Sequence, residues 1–117
     1  MKIMSIFGTR PEIIRLSRIF PLLDKNFDHV MVNTSQNYTQ ELNNIFFKDL
    51  NIRSPDYNLK ISTKTYGDEI SDIIKKSDEV LLKEKPDMVL ILGDTNSGLA
   101  AISASHHGIK IAHLEAG

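Results

Sequence analysis

Residues 86–97 read Pro86-Asp87-Met88-Val89-Leu90-Ile91-Leu92-Gly93-Asp94-Thr95-Asn96-Ser97. Pro86 ends any helix that reaches it, because its ring clashes with the preceding turn and it has no N–H to give. Five apolar residues then follow without alternation. A strand with one wet face alternates apolar and polar residues. An unbroken run therefore marks a strand covered on both faces, the usual condition of a parallel sheet. Gly93 to Ser97 stops the run with residues that favour turns and helix caps. The stretch reads as helix end, buried parallel strand, polar turn and helix start.

Working outward, the same pattern repeats. Upstream, Tyr66 to Lys85 predicts a helix with Ile70, Ile73, Ile74, Val80 and Leu81 on one face. Downstream, Asn96 to His107 suits a helix with a small-residue face (Ala100, Ala101, Ala104), and Ile109 to Leu114 a last strand. Lys2 to Phe7 is a strand ending at Gly8, and Pro11 sits where a first helical turn tolerates it. Ile13, Leu16, Phe20 and Leu23 continue that helix, with a kink expected at Pro21. His29 to Thr34 is a second strand. A further helix starts near Tyr38 and carries Leu42, Ile45, Phe46 and Leu50 as its apolar stripe. Asn51 to Thr65 reads as a loop with a short strand around Tyr57 to Leu59. The order β-α-β-α-loop-α-β-α-β implies an α/β fold, a Rossmann-like three-layer sandwich on a parallel sheet with right-handed crossovers. The chain stops at Gly117 just after a strand, so residues 1–117 are expected to be an incomplete domain.

The chain has 117 residues, 41% apolar and 25% charged, with a net charge of −1. That balance suits a globular domain, and the charges are interspersed. Without a basic stripe, no nucleic acid partner is expected. There is no cysteine, so neither a disulfide framework nor a zinc-thiolate site is available. No segment approaches the roughly 20 apolar residues that a bilayer span needs, and no membrane partner is expected. A cytoplasmic location fits. No metal site is expected of the four histidines, because adjacent His106 and His107 diverge on a helix. The Gly8 turn lacks both the dinucleotide fingerprint and the P-loop lysine, and no cofactor is implied.

In an open parallel sheet, ligands bind beyond the carboxyl ends of the strands. Four polar clusters fall there: Gly8-Thr9-Arg10-Pro11-Glu12, Thr34-Ser35-Gln36-Asn37-Tyr38, Gly93-Asp94-Thr95-Asn96-Ser97 and His113-Leu114-Glu115-Ala116-Gly117. Arg10 lies at a helix start, where free N–H groups favour an anion and a forked guanidinium suits a phosphate. A structural carboxylate would satisfy it equally well. Asp94 and Glu115 could form a carboxylate pair, since two acids in one cleft repel and can divide the roles of acid and base. Asp94 or Thr95 could also simply cap the helix that follows. The residues alone lead to an α/β domain with a cleft for an anionic ligand.

The three motifs Phe7-Gly8-Thr9-Arg10-Pro11-Glu12, Gly93-Asp94-Thr95 and His113-Leu114-Glu115-Ala116-Gly117, in this order and spacing, resemble the non-hydrolysing UDP-N-acetylglucosamine 2-epimerases. The resemblance implies two Rossmann-like domains in the GT-B arrangement. This chain would be most of the first, and the C-terminal UDP-binding domain would be absent from it. It implies an isomerase that eliminates UDP across C1 and C2 of the sugar and adds it back with C2 inverted. Asp94 and Glu115 would be the catalytic acid/base pair, and Arg10 would bind the diphosphate. Thr9, Glu12, Gln36, Thr95 and His113 would also meet the UDP-amino sugar substrate. A homodimer is implied for the intact protein, and the fragment by itself is expected to be inactive. Gln36-Asn37-Tyr38, Ile52-Arg53-Ser54-Pro55-Asp56-Tyr57 and Gly93-Asp94-Thr95-Asn96-Ser97 are more narrowly similar to the subgroup forming UDP-N-acetyl-L-fucosamine for capsule or O-antigen synthesis. The competing readings are a glycosyltransferase-like domain of the same architecture and a truncated remnant without catalysis.

Overall fold

The computed structural model describes residues 1–34, 40–93 and 95–115, with only the backbone described for 40–43. Five strands are described: β1 (Lys2–Phe7), β2 (Asp28–Asn33), β3 (Tyr57–Asn58), β4 (Met88–Leu92) and β5 (Lys110–Leu114). The helices are α1 (Arg10–Leu16), α2 (Ile19–Asn26), α3 (Gln40–Asp49), α4 (Tyr66–Glu84) and α5 (Ala100–His106), the last preceded by a 3-10 turn at Asn96–Leu99. All pairings are parallel, and the strands lie in the order β3-β2-β1-β4-β5. The expected α/β class is observed. The order reverses between β1 and β4, so the topological switch point opens between their carboxyl ends.

The unbroken apolar run of β4 is explained by its two covers. Val89 and Ile91 face a core shared with Met4, Ile6, Ile73, Leu81 and Ala104, under α4 and α5. Leu90 and Leu92 face the other core, with Phe7, Leu16, Phe20 and Phe47 under α1 to α3. Each buried aliphatic or aromatic side chain stabilises the fold by about 1.5–3 kcal/mol relative to exposure. The Phe7 and Phe20 rings meet at 5.1 Å and Phe7 and Phe47 at 6.2 Å, tilted or edge-on as ring quadrupoles prefer.

Two local readings change. The helix expected to kink at Pro21 instead breaks earlier, at Ser17–Arg18, and restarts at Ile19. Pro21 thereby falls in the first turn of α2, where its missing N–H has no intrahelical acceptor to lose. Among the described side chains of α3, Phe47 is buried (1% exposed) while Ile45, expected on the stripe, is 56% exposed; Leu42, also expected there, lies outside the described side chains. Phe46, Phe47 and Leu50 pack inward, so the face is rotated from the expected one. Among the described residues, no helix is long and apolar enough to cross a membrane.

Candidate functional site

The turn after β1 is built by a capping box. Thr9 is the N-cap of α1, with its hydroxyl accepting the Glu12 N–H at 3.4 Å. In return Glu12 Oε2 accepts the Thr9 N–H at 2.6 Å and the Gly8 N–H at 2.9 Å. The motif satisfies N–H groups that would otherwise be orphaned at a helix start. Glu12 is only 4% exposed. Its second oxygen reaches across the sheet: Oε1 accepts the hydroxyls of Thr95 at 2.6 Å and Ser97 at 2.8 Å. Thr95 occupies the N-cap position of the 3-10 turn, but its hydroxyl makes no cap bond. The capping alternative raised for Thr95 is therefore not the role its side chain takes.

Arg10 opens α1 from the exposed side, with its guanidinium carbon 5.1 Å from the centre of the Phe46 ring. That distance is within cation–π range. Among the described residues no carboxylate lies within ion-pair distance of Arg10. The turn after β4 is fixed by Gly93, whose φ of +73° favours glycine and whose N–H donates to the Leu114 carbonyl at 2.8 Å. The chain neighbours of Asp94 and Glu115 are thus hydrogen-bonded to one another. Asp94 and Gln36 themselves lie outside the described residues.

Glu115 follows β5 with a φ of +55°, a left-handed conformation that costs a non-glycine residue of order 1 kcal/mol. Its Oε2 pairs with Arg15 at 2.6 Å, and both side chains are largely exposed. His113 Nε2 is hydrogen-bonded to the Gly93 carbonyl. Thr9, Pro11, Glu12, Arg15, Leu92, Gly93 and Thr95 line a cleft of about 260 Å³. A second hollow of about 410 Å³ adjoins it through Arg15 and Leu92 and reaches Leu114 and Glu115. Of the residues singled out from sequence, the structure gathers Thr9, Glu12 and Thr95 at this cleft and Glu115 at the hollow beside it. Arg10 opens α1 nearby, and His113 lies in β5.

A different cluster has the order of a nucleophilic triad. Ser5 Oγ is 2.7 Å from His29 Nε2, and His29 Nδ1 is 2.9 Å from Asp24 Oδ1. Ser5 is wholly buried inside the central strand, so no substrate carbonyl can approach its hydroxyl. The cluster is a packed polar pin.

With this geometry in view, comparison with known proteins is decisive. The family model described as UDP-N-acetylglucosamine 2-epimerase matches residues 22–117. The chain belongs to this family. A UDP-N-acetylglucosamine 2-epimerase of Methanococcus maripaludis is 48% identical over 118 residues, covering 99% of this chain and 32% of that protein. The structure of UDP-N-acetylglucosamine 2-epimerase from Rickettsia bellii superposes with a TM-score of 0.91 at 50% identity, covering all of this chain and 31% of that one. The Methanocaldococcus jannaschii UDP-GlcNAc 2-epimerase, in complex with UDP-GlcNAc and UDP, superposes at 0.90 with 45% identity over all of this chain and 33% of that one. The chain therefore spans about a third of the length of the relatives it matches, and its fold matches the N-terminal portion of these epimerase structures.

Three residues beside the cleft were not among the sequence-derived site candidates. Arg15 stands one helical turn beyond Glu12, and its pairing with Glu115, 100 positions away, has no local signal in the sequence. Phe46 supports Arg10, but nothing in its sequence separates it from an ordinary core residue. Ser97 is buried beside Glu12, and the only signal for it is its position two residues after Thr95 in a polar turn.

Proposed function

We propose that the intact protein is a non-hydrolysing epimerase that inverts C2 of a UDP-2-acetamido sugar. The supporting observation is that the turns after β1 and β4 share one cleft, with Thr9, Glu12, Arg15, Gly93 and Thr95 on its wall, and that the hollow beside it reaches Glu115 after β5. The C2 proton of such a sugar has no neighbouring carbonyl to acidify it, so its removal needs another outlet for the electron pair. One carboxylate takes the C2 proton, the C2–H electrons form a C1=C2 bond, and the C1–O bond breaks with UDP as leaving group. Re-addition reverses this: the other acid gives a proton to C2 on the opposite face, and a UDP oxygen rebonds to C1. Asp94 and Glu115 fill the two acid/base roles. Arg10, held over Phe46, takes the diphosphate with forked donors. Thr9, His113 and Gln36 complete the residues assigned to direct substrate recognition, while Glu12 and Thr95 are bonded to one another and hold the turns that carry them.

In this reading residues 1–117 are part of the first of two α/β domains, a second domain contributes most of the UDP contacts, and the intact protein works as a cytoplasmic homodimer. The narrower proposal is the branch that makes UDP-N-acetyl-L-fucosamine for surface polysaccharide. It rests on Gln36-Asn37-Tyr38 and Ile52-Arg53-Ser54-Pro55-Asp56-Tyr57. The test is proton NMR of the intact protein in D2O. Deuterium at C2 of UDP-N-acetylglucosamine, with appearance of the manno epimer, is the result expected of the general branch. Exchange only with the UDP-linked 6-deoxy-L-talose amine selects the narrower one. Absence of exchange with both sugars removes the isomerase reading.

A further inference from the structure

The Glu12 carboxylate does more than complete a capping box. A capping box needs one oxygen on the N-cap amide, and Oε2 supplies it to Thr9 with Gly8 alongside. Oε1 is spent entirely on residues 83 and 85 positions away in sequence, Thr95 and Ser97. The two oxygens thus serve two different strands: one holds the turn after β1, the other the turn after β4. These turns flank the switch point, where a parallel sheet places its ligand. The group is 4% exposed, and both oxygens carry two donors. Such a satisfied buried carboxylate is rigid, and removing it leaves amides and hydroxyls without acceptors.

We infer that Glu12 is a positioning residue whose carboxylate locks the β1 and β4 turns together and so sets where Thr95 stands relative to Arg10 across the crevice. This inference rests on the proposed role of Asp94 for its catalytic consequence and on the hydrogen bonds alone for its structural part. Glu12 meets the substrate through this frame rather than by direct contact. Misplacement of a reacting group by about 1 Å can cost about a hundredfold in rate.

The experiment is a double-variant cycle in the intact protein with Glu12→Gln and Thr95→Val. Glu12→Gln is expected to lower kcat about a hundredfold with KM unchanged, the mark of an effect confined to the transition state. Adding Thr95→Val is expected to cost nothing more, because both changes break one bridge. Losses that multiply, together with a raised KM, would show independent contact with substrate and overturn the inference. A second readout does not depend on activity. In an amide NMR spectrum Thr95→Val should shift the Gly8 and Thr9 resonances across the crevice. Ser97→Ala, which removes a donor without adding bulk, should move the same two if Glu12→Gln fails to fold. Shifts confined to the neighbourhood of the substituted residue would overturn the bridge even if the protein proves to have another activity.

Discussion

The two ends of this parallel sheet handle charge in opposite ways. At the amino ends of the strands, charged groups are paired with other side chains. Lys2 pairs with Glu84 at 2.9 Å, and Glu84 also accepts the Tyr57 hydroxyl, which together with some burial pushes that phenol up to about 12. Arg53 bridges Asp24 and Asp56 and donates to the His29 carbonyl. At the carboxyl ends, Arg10 stacks on a ring, Glu115 sits in a left-handed conformation, and Gly93 turns through a positive φ. The carboxyl edge has its own Arg15–Glu115 pair and a fully bonded Glu12, but there Arg10 has no ion-pair partner among the described residues.

If that contrast is sound, the amino edge can be broken with large effects on stability. Arg53→Ala removes charge-assisted bonds to two carboxylates and two carbonyls, and should lower unfolding stability by about 2 kcal/mol, read from a urea titration. Loss below about 0.5 kcal/mol would mean that solvent already screens the cluster.

A smaller effect of the same edge depends on pH. The His29 side chain is fully buried; burial holds its imidazole below the ordinary range, although the bond and charge of Asp24 pull the other way. The neutral ring satisfies both neighbours, donating from Nδ1 to Asp24 and accepting the Ser5 hydroxyl at Nε2. Because its folded pKa is depressed, the unfolded chain takes up the proton first on acidification. His29 stability is therefore complete above about pH 6.5 and falls as pH drops below that value. Asp24 adds a separate, lower window. Burial pulls its pKa up, but the bonds from Arg53 and His29 outweigh this and leave it depressed, so its share is lost only below the ordinary carboxylate range. Urea midpoints at pH 7.5 and 5.5 should differ for the native sequence and converge for His29→Gln. An equal drop in the variant would assign the slope to other groups.

The smallest effect is expected at the carboxyl edge. Arg15 and Glu115 form an ion pair whose side chains are 62% and 57% exposed. Arg15→Lys should change stability by less than about 0.5 kcal/mol, since exposed pairs contribute little. A larger loss would mean that the pair holds β5 in place.

Much of this architecture was legible in the residues. Met88–Leu92 appears as the strand that its unbroken run implied, and α4 begins at Tyr66 as its apolar spacing requires. The strand order was not legible, because alternation of strands and helices says nothing about where β4 inserts. Pro21 misled for a physical reason: proline forbids a helix interior but accepts a first turn, and the chain moved the helix break to suit it. Within the site, the motif turns could be read from their position after strands. The Glu12–Thr95 bridge could not, because a capping box accounts for Glu12 locally and hides its second oxygen.

The division between the two edges is tested most directly by measuring kcat/KM and the unfolding midpoint together for Arg10→Ala and Arg53→Ala in the intact protein. Arg10→Ala should lose about a hundredfold in kcat/KM, as expected when a charge-assisted anion contact of roughly 3 kcal/mol is removed, with its midpoint unmoved. Arg53→Ala should show the reverse, a lower midpoint with full activity at temperatures where it remains folded. Equal loss of activity in both variants would contradict the division and place substrate chemistry outside the β1–β4 crevice.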